Sequence, residues 1–428
     1  MRFVLLLPAL VLSFTSVSSA ADWPNWRGPN GNGVADGNGY PLEWSADKNV
    51  VWKHEIPGLG ASTPAVDGDR IFYTATQDGT NRIVCVNMQG KVEWNEGLNK
   101  SLEGKQGKDG TGANPSPVID GQRVFVYFKS GDFGCFNYDG ELQWQTNVFE
   151  RFAPVTSDTL WWDLGTSPVR TSNAIVVTMM HSGPSYLAAF RPTDGKLLWK
   201  HDRQTDAPRE AAQSYTTPIV TKNPDGKEVI VVTGADYVTC HDAANGDELW
   251  RVGSLNPEGN EYFRSISSSV AAENIVIAPY ARGGTLTAIR MGGHGNVTDS
   301  HVLWTKQETS ADVPTPTVAN GRVYVVRDTR NLRGTIDCLD LHTGKTIWSG
   351  QLEKHRMTFR ASPILADGRL YVTRQDGTVF VLDAEADEFK VLAKNSLGSE
   401  HTIATPVLAN GKILLRTGEH LYLIAQQK

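Results

Sequence analysis

The chain has 428 residues, enough for two average domains or one large repeat architecture. Hydrophobic residues make up 40% and charged residues 21%, which is typical of a folded chain and excludes an intrinsically disordered one. The 41 basic and 47 acidic residues give a net charge of −6, so a general nucleic-acid binder is not expected. The 41 Gly and 12 Trp are unusual, and their spacing explains both.

The first twenty residues have the pattern of a signal peptide. Arg2 provides a positive start, positions 3–14 are apolar, and small residues lead up to Ala20. We predict that residues 1–20 are removed and that the protein is exported, either periplasmic or secreted. No other apolar stretch reaches the length of a membrane span, and the first cysteine is Cys85. We therefore expect neither a membrane span nor a lipid anchor.

Two short sequence words repeat along the rest of the chain. The first is Ser or Thr, Pro and an apolar residue, with its prolines at Pro64, Pro117, Pro168, Pro218, Pro316, Pro363 and Pro406 and with Ser269 in the eighth slot. The second is Gly, a charged residue, two further residues and Trp, as in Gly90–Trp94. Eight units in about 408 mature residues give about 51 residues each, which suits a four-stranded propeller blade.

Within each unit, Val, Ile and Tyr alternate between Gly, Asn and Asp turns, which predicts a meander of short strands. The eighth unit stops after its third strand, at residues 420–425, whereas a spare fourth-strand segment, Val50–Trp52, lies near the other end of the chain. We therefore predict an all-β, eight-bladed propeller of four-stranded antiparallel blades over residues 45–428. Val50–Trp52 completes the last blade and covers a sheet edge. Residues 21–44 form an N-terminal extension, and the sequence leaves open whether it covers the channel.

The words S/T-x-P-x-V, x-L-D-x-x-T-G-K and G-K-x-x-W resemble pyrroloquinoline-quinone-like (PQQ-like) repeats over residues 45–425. Such repeats are found in quinoprotein dehydrogenases and in BamB, the outer-membrane-protein assembly lipoprotein. The resemblance implies that the tryptophan of each last strand docks between neighbouring blades. The corresponding residues are Trp52, Trp94, Trp144, Trp199, Trp250, Trp304 and Trp348.

The four cysteines, Cys85, Cys135, Cys240 and Cys338, occupy the same third-strand position in different units. Packed sheets lie about 10 Å apart, whereas a disulfide needs Cα atoms within about 7 Å. We therefore predict buried free thiols. The ten His form no His-Glu-x-x-His pair and have no Cys-x-x-Cys partner, so no metal site is expected. No esterase elbow or protein-kinase signature is present, and no catalytic residue is assigned.

Long loops precede several of the Pro words, and in a propeller such loops meet at one mouth of the channel. The candidate ligand-binding residues at this funnel mouth are Asn114, Trp161, Trp162, Asp163, Gln213, Tyr215, Arg264, Asp312, Arg360 and His401. Arginine offers bidentate, charge-assisted bonds and aspartate offers acceptors. The two adjacent tryptophans either form a stacking platform or pack their loop onto the blade tops. The polar residues alternatively form a solvated rim held by its own salt bridges.

Two functions from different classes follow. The first is an exported, non-enzymatic binding or scaffold propeller, monomeric and without a cofactor, that engages a protein or a small polar ligand on the funnel face. The alternative is a dehydrogenase for alcohols or sugars that holds PQQ and Ca²⁺, with Arg264 and Arg360 near the quinone and Asp163 and Asp312 as carboxylates. Many such enzymes carry an adjacent Cys pair over the cofactor, and this chain has none.

Overall fold

The computed structural model describes residues 23–102, 109–152, 164–329 and 331–427. These residues form eight sheets, each built on a four-stranded antiparallel meander, and one of them gains a short fifth strand, Gly295–Asn296. The first strands of neighbouring blades lie against one another around a central channel. The predicted eight-bladed propeller is therefore confirmed. The predicted signal peptide lies outside the described residues. Within the described ranges, no helix is both long enough and apolar enough to cross a bilayer.

The four strands of each blade run from the innermost, at the channel, to the outermost. Blade 1 consists of Ala65–Asp67, Arg70–Gln77, Thr80–Asn87 and Val92–Lys100, and blade 2 of Val118–Ile119, Arg123–Tyr127, Asp132–Asn137 and Leu142–Asn147. Blade 3 consists of Val169–Arg170, Ile175–Met179, Tyr186–Phe190 and Leu197–Asp202, and blade 4 of Ile219–Lys222, Glu228–Gly234, Tyr237–Asp242 and Glu248–Val252. Blade 5 consists of Val270–Ala272, Ile275–Tyr280, Thr285–Arg290 and Val302–Gln307, and blade 6 of Thr317–Ala319, Arg322–Val326, Thr335–Asp340 and Thr346–Gln351. Blade 7 consists of Ile364–Ala366, Arg369–Thr373, Val379–Asp383 and Val391–Asn395, and blade 8 of Val407–Ala409, Lys412–Arg416, His420–Ala425 and Val50–Glu55. The described helices are short: Val148–Phe152 and Thr298–His301 are α-helical, and Arg209–Ala212 and Ala281–Gly283 are 3₁₀ turns.

The ring closes through the N-terminal strand, as predicted. Val50–Glu55 pairs antiparallel with His420–Ala425, and Trp52 lies opposite Leu423. The strand continues three residues beyond the predicted segment. Because the two ends of the chain share one sheet, blade 8 has no unpaired third strand.

The glycines of the repeated word are explained by the tryptophans. Trp144 of blade 2 donates its Nε1 proton to the carbonyl of Pro192 in the next blade, at 2.9 Å. Gly195 of the same turn has φ +65°, and a Cβ there would lie 2.6 Å from the Trp144 ring. Equivalent Nε1 bonds of 2.8–3.0 Å run from Trp52, Trp94, Trp304 and Trp348 to carbonyls of Met88, Tyr138, Leu341 and Ala386. Trp199 packs on Gly246 in the same way.

Trp250 is covered differently. Blade 5 lacks the glycine turn, and residues 291–301 stand in its place. Within them, Gly295–Asn296 pairs parallel with the outer strand of blade 4 at Trp250. Trp250 is only 1% exposed and belongs to a cluster that includes Met291 and Val297. The inserted segment therefore buries this tryptophan where a docking glycine is missing.

The cysteines lie beneath the same tryptophans. Their partners across the sheet are Trp94 for Cys85, Trp144 for Cys135, Trp250 for Cys240 and Trp348 for Cys338. All four thiols are buried and free, as predicted. A small side chain at this position leaves room for the indole opposite, which explains why alanine also occurs there, at Ala189 and Ala288.

The Ser or Thr of the Pro word forms a ring of hydrogen bonds around the channel, which we call the hydroxyl ring. Its members are Thr63, Ser116, Ser167, Thr217, Ser268, Thr315, Ser362 and Thr405, all buried. The N–H of each of the first seven donates to the hydroxyl of the next, at 2.9–3.2 Å. The Thr63 hydroxyl donates back to the Thr405 carbonyl at 3.3 Å. The word is therefore a joint between blades as well as a strand start.

Candidate functional site

The N-terminal extension crosses one end of the channel. Trp23 exchanges backbone hydrogen bonds of 2.9 and 2.8 Å with Val66 in the innermost strand of blade 1. Further along the extension, Ala35 N–H donates at 2.8 Å to the Leu365 carbonyl of blade 7, which only blade 8 separates from blade 1. The Pro24 carbonyl accepts Ile119 N–H of blade 2 at 3.0 Å, whereas Arg27 reaches the Pro316 carbonyl at the start of blade 6, which faces blade 2 across the ring. We call residues 23–35 the plug, because they cross the channel between these two blades.

Arg27 holds the plug in place. Its Nη1 donates to the Pro363 carbonyl at 3.0 Å, and its Nη2 donates to the Pro316 carbonyl at 2.6 Å and to Thr317 Oγ1 at 3.0 Å. The side chain is only 2% exposed. Burial lowers the pKa of the guanidinium to about 9, so it remains charged at neutral pH. A buried cation thus binds the carbonyls that follow two members of the hydroxyl ring.

Trp26 turns the channel into a blind cavity. It borders a cavity of about 300 Å³ on the funnel side, which we call the funnel cavity. It also borders a second cavity, of about 550 Å³, between the plug and blades 3 to 5. Trp26 therefore forms the floor of the funnel and separates the two spaces.

The structure brings half of the predicted site residues to this cavity. Its walls include Asn114, Tyr215, Arg264, Asp312 and Arg360. Two more stand just behind them: Gln213 Oε1 accepts the Tyr215 hydroxyl proton at 2.8 Å, and His401 Nε2 lies 2.7 Å from Asp109 Oδ1. The remaining three, Trp161, Trp162 and Asp163, lie outside the described residues.

Asp109 joins the loop that enters blade 2 to two other blades of the funnel wall. Besides its pair with His401, it lies 3.8 Å from Arg360 Nε and accepts a hydrogen bond of 3.1 Å from Gln375. Burial acts to raise the pKa of Asp109, but the hydrogen bond from His401 and the charge of Arg360 outweigh it and lower the pKa below its usual value. The carboxylate is therefore ionised and ties the loop that enters blade 2 to blades 7 and 8.

Asp328 is the buried carboxyl group of this wall. It accepts the backbone N–H groups of Asp312 at 2.8 Å and of Val313 at 3.1 Å. Burial and the neighbouring charge of Asp312 raise the pKa of Asp328 to about 6, against the opposing effects of these bonds and of Arg360. Arg360 Nη1 lies 3.7 Å from Asp328 Oδ2, so one guanidinium serves two carboxyl groups.

The loops entering blades 4, 5 and 6 are joined by backbone hydrogen bonds. Tyr215 N–H donates to Ser265 at 2.8 Å, and Ser267 N–H donates to the carbonyl of Asp312 at 3.0 Å. In the same region, Arg264 Nη1 donates to Glu210 at 2.7 Å. These bonds fix three of the wall residues on a braced surface rather than on independent loops.

Sequence reasoning missed four residues of the site: Trp26, Asp109, Arg282 and Asp328. Arg282 and Asp328 follow the second strand of their blades, in turns that lie on the same face as the loops before each first strand. Taking candidates from those turns as well as from the loops before the Pro words would have found both. Trp26 belongs to the conspicuous Trp-Pro-Asn-Trp opening, but its place in the channel depends on partners roughly 300 residues away.

The described residues do not form the donor set of a Ca²⁺–quinone site. Asp109 and Asp328 are occupied by cations and backbone N–H groups, and the four thiols lie in separate blades. Only one group of three metal-ligand side chains occurs within the described ranges, Glu400, Glu419 and His420, and it is not part of the cavity wall. Glu400 there already accepts bonds from its neighbours, including Tyr422 Oη at 2.6 Å. The arrangement does not fit the cofactor of the alternative function.

Comparisons with known proteins agree with this architecture. A europium-containing methanol dehydrogenase superposes with a TM-score of 0.73 at 10% identity, covering 95% of this chain and 98% of that one. BamB from Moraxella catarrhalis gives 0.61 at 14% identity over 88% and 99%, and the computationally designed Ika8 protein gives 0.62 at 15% over the same shares. At these identities the likeness shows the fold alone. No curated protein matches the chain.

The family comparison is more specific. The family model described as outer membrane protein assembly factor BamB matches residues 44–223, 129–332 and 332–427, which together span almost the whole described propeller. The repeat words, the closed ring of eight blades and this match agree, and the chain belongs to that PQQ-like repeat family.

Proposed function

We propose that the protein is an exported, monomeric, non-enzymatic binding propeller whose funnel cavity holds a small polar ligand. The observation that carries this proposal is a blind cavity of about 300 Å³ with an aromatic floor, Trp26, and walls of guanidinium, carboxylate, amide and hydroxyl groups. Small-molecule sites are concave, begin at about this volume and combine an apolar surface with a few convergent polar groups. The signal-peptide pattern of residues 1–20 supports export.

A small ligand fits this face better than a docked protein does. A stable protein interface has a buried apolar centre within a polar rim. On the funnel face, the large exposed apolar side chains among the described residues are Leu59, Leu102 and Tyr262, which stand on different loops. Scattered apolar residues of this kind are normal on any surface. The concave cavity, not the surrounding face, therefore concentrates the recognition groups.

The way in which the polar groups are held supports binding without turnover. Arg264 is fixed by Glu210 and Asp109 by His401, with 2.7 Å between the paired atoms in both cases. Such braced pairs orient a ligand. The donor set that the quinone and Ca²⁺ of the alternative function would require is not assembled among the described residues. We therefore propose no cofactor and no redox step.

The test is a thermal-shift screen of the mature protein against sugars, amino acids, nucleosides and organic acids, with PQQ plus Ca²⁺ included. Calorimetry then compares each hit with two floor and wall variants, Trp26→Ala and Tyr215→Ala, and with Tyr262→Ala as a matched aromatic control outside the cavity. We expect one-to-one binding that weakens at least tenfold in the first two variants and is unchanged in the control.

Three results would contradict the proposal. The first is a screen without any hit, and the second is a hit that binds all variants equally. The third is Ca²⁺-dependent PQQ binding with oxidation of an alcohol by an artificial electron acceptor, which would establish the dehydrogenase instead. Capture of a specific protein by the wild type but not by the Tyr262→Ala variant would favour the scaffold.

A further inference from the structure

Two guanidinium groups of the funnel cavity are only loosely paired. Arg282 Nη2 lies 3.6 Å from Asp312 Oδ2, and Arg360 lies 3.7 Å from Asp328 and 3.8 Å from Asp109. These separations exceed the roughly 3.2 Å limit of an N–H···O hydrogen bond. Each guanidinium carries five N–H donors. Within the described residues, neither side chain makes a hydrogen bond to the protein, although both line the cavity.

Other arginines of this chain make close hydrogen bonds to the protein. Arg264 of the same wall donates to Glu210 at 2.7 Å, and the buried Arg203 donates to Thr239 and to the carbonyl of Gly234 at 2.7 and 2.9 Å. Arg282 and Arg360 are 40% and 33% exposed in their side chains and face the funnel. Their donors are therefore available to a molecule that enters the cavity.

The base of the cavity adds donors of a second kind. Ser116, Ser167 and Ser268 of the hydroxyl ring are part of its wall. Each of these hydroxyl oxygens accepts an N–H from the preceding blade, at 2.9–3.0 Å. A hydroxyl that accepts in this way still has its own proton to donate. The lower wall therefore also presents donors toward the channel.

One acceptor balances these donors. Asp312 Oδ1 is buried and, within the described part of the chain, has no hydrogen-bond partner. By formal charge, the side chains that line the cavity are the cations Arg264, Arg282 and Arg360 and the anions Asp109 and Asp312, an excess of one positive charge. Glu210 and Asp328 lie behind this wall, paired with Arg264 and Arg360.

We infer that the ligand is a small hydroxy acid whose oxyanion is bound by Arg282 and Arg360 and whose hydroxyl or amine donates to Asp312 Oδ1. Guanidinium groups bind planar oxyanions through paired N–H bonds, and such charge-assisted bonds are the stronger kind. A sugar acid combines the required carboxylate with neighbouring hydroxyl donors, and a sugar phosphate supplies the same oxyanion chemistry from another source. This inference rests on the proposed function, since it concerns the same cavity.

The experiment is calorimetry at low ionic strength with four probes: glucuronate, glucose 6-phosphate, inorganic phosphate and glucose. Glucuronate and glucose share a ring and differ in the carboxylate, so they form a matched pair. The variants are Arg282→Gln and Arg360→Gln. The control is Arg191→Gln, which removes an exposed arginine paired with Asp194 at 3.0 Å in a turn on the opposite face. Circular dichroism and the thermal midpoint verify that all three variants fold.

We expect glucuronate or glucose 6-phosphate to bind at least tenfold more tightly than glucose. Each funnel variant is expected to lose at least tenfold in affinity, and the control to stay within twofold of wild type. Affinity should also fall as salt is added. Tighter binding of glucose 6-phosphate than of glucuronate would assign the oxyanion to a phosphate, and inorganic phosphate alone reports whether the sugar ring contributes.

Equal binding of glucose and glucuronate, or unchanged affinity in both arginine variants, would overturn the oxyanion inference and leave the binding function of the cavity intact. Absence of binding by all four probes would also overturn it. The proposed function is then decided separately, by the hits of the wider screen and their response to Trp26→Ala.

Discussion

Replacing Arg27 by Met removes the charged group that holds the plug and keeps a side chain of similar length. The guanidinium makes three bonds of 2.6–3.0 Å to Pro316, Pro363 and Thr317 of the propeller and a fourth, of 3.2 Å, to the Asn32 carbonyl within the plug. Each bond to the propeller is worth about 1.5–3 kcal/mol when the donor is charged. Its desolvation opposes them. A pKa lowered from 12.5 to about 9 corresponds to about 5 kcal/mol, at about 1.4 kcal/mol per pKa unit.

These two quantities nearly cancel, so the cost of the substitution comes mainly from the acceptors left behind. The Pro363 carbonyl keeps the Thr317 hydroxyl as a donor, at 2.6 Å, but no other described donor is placed on the Pro316 carbonyl. An orphaned buried carbonyl and imperfect packing of Met together cost about 2–4 kcal/mol. Because this cost is confined to the plug, local opening of residues 23–35 is expected before global unfolding.

Hydrogen–deuterium exchange of peptides from residues 23–48 measures this opening. A local cost of 2–4 kcal/mol corresponds to exchange about 30 to 1,000 times faster in the plug. Peptides from the docked outer strands are expected to be unchanged. The matched control is Arg70→Met, which removes an arginine with partly exposed pairs to Glu93 and Asp139 and should change stability by less than about 1 kcal/mol. Unchanged exchange in the plug, or equal acceleration of exchange in all blades, would contradict the prediction that Arg27 anchors the plug locally.

Three further predictions concern the joints and the wall. In urea unfolding, Gly195→Ala should lower the free energy of unfolding by about 2–5 kcal/mol, because of its positive φ and its clash with Trp144. The control Gly226→Ala, with φ +79° and open space around it, should lose only the backbone strain of about 1–2 kcal/mol. Equal losses in the two variants would contradict the docking of Trp144 on Gly195. Ser167→Ala should lower the free energy of unfolding by about 1–3 kcal/mol, because it leaves the buried N–H of Ser116 without an acceptor. Ser167→Thr keeps the hydroxyl and should lose less. An alanine variant as stable as wild type would show that the hydroxyl ring adds no stability. The folded-state pKa of Asp328 lies above the ordinary value of 3.8, at about 6, so its favourable contribution is complete below about pH 4 and is lost as the pH rises through about 6. Wild type measured against Asp328→Asn should therefore lose about 3 kcal/mol of relative stability over that window, and parallel pH profiles would contradict the assignment.

The closed ring could be predicted from the sequence because each repeat unit places the same residue types at the same strand positions. The segment that ends at Trp52 had no third strand beside it in the sequence, and the third strand of the eighth unit had no fourth strand after it. The structure pairs the two, with Trp52 opposite Leu423 in blade 8. The same logic placed the four thiols, since one slot in each blade has one environment. The hydroxyl ring was visible as well: a Ser or Thr precedes every Pro slot, although only the structure shows that it accepts an N–H from the neighbouring blade.

The plug and the charge pairs lay beyond sequence reasoning for a physical reason. The plug is not a repeat unit, and Arg27 bonds to carbonyls at Pro316 and Pro363, which any residue at those positions would present. Asp109 likewise reaches His401 across the ring, a contact that depends on the path of one long loop. The loops before the Pro words indicated which residues lie at the funnel, but not which of them pair with each other.

The proposed function requires that a ligand enters the funnel and lies on Trp26. The most direct measurement is ¹⁹F magnetic resonance of the protein labelled with 5-fluorotryptophan, with the Trp26 signal assigned by its loss in Trp26→Phe. On titration with a hit from the screen, the Trp26 signal should shift saturably, while the docking tryptophans, such as Trp144 and Trp304 with their Nε1 bonds of 2.9 Å, remain unchanged. Binding detected by calorimetry without a shift of the Trp26 signal, or a saturable shift confined to tryptophans other than Trp26, would contradict this placement of the ligand.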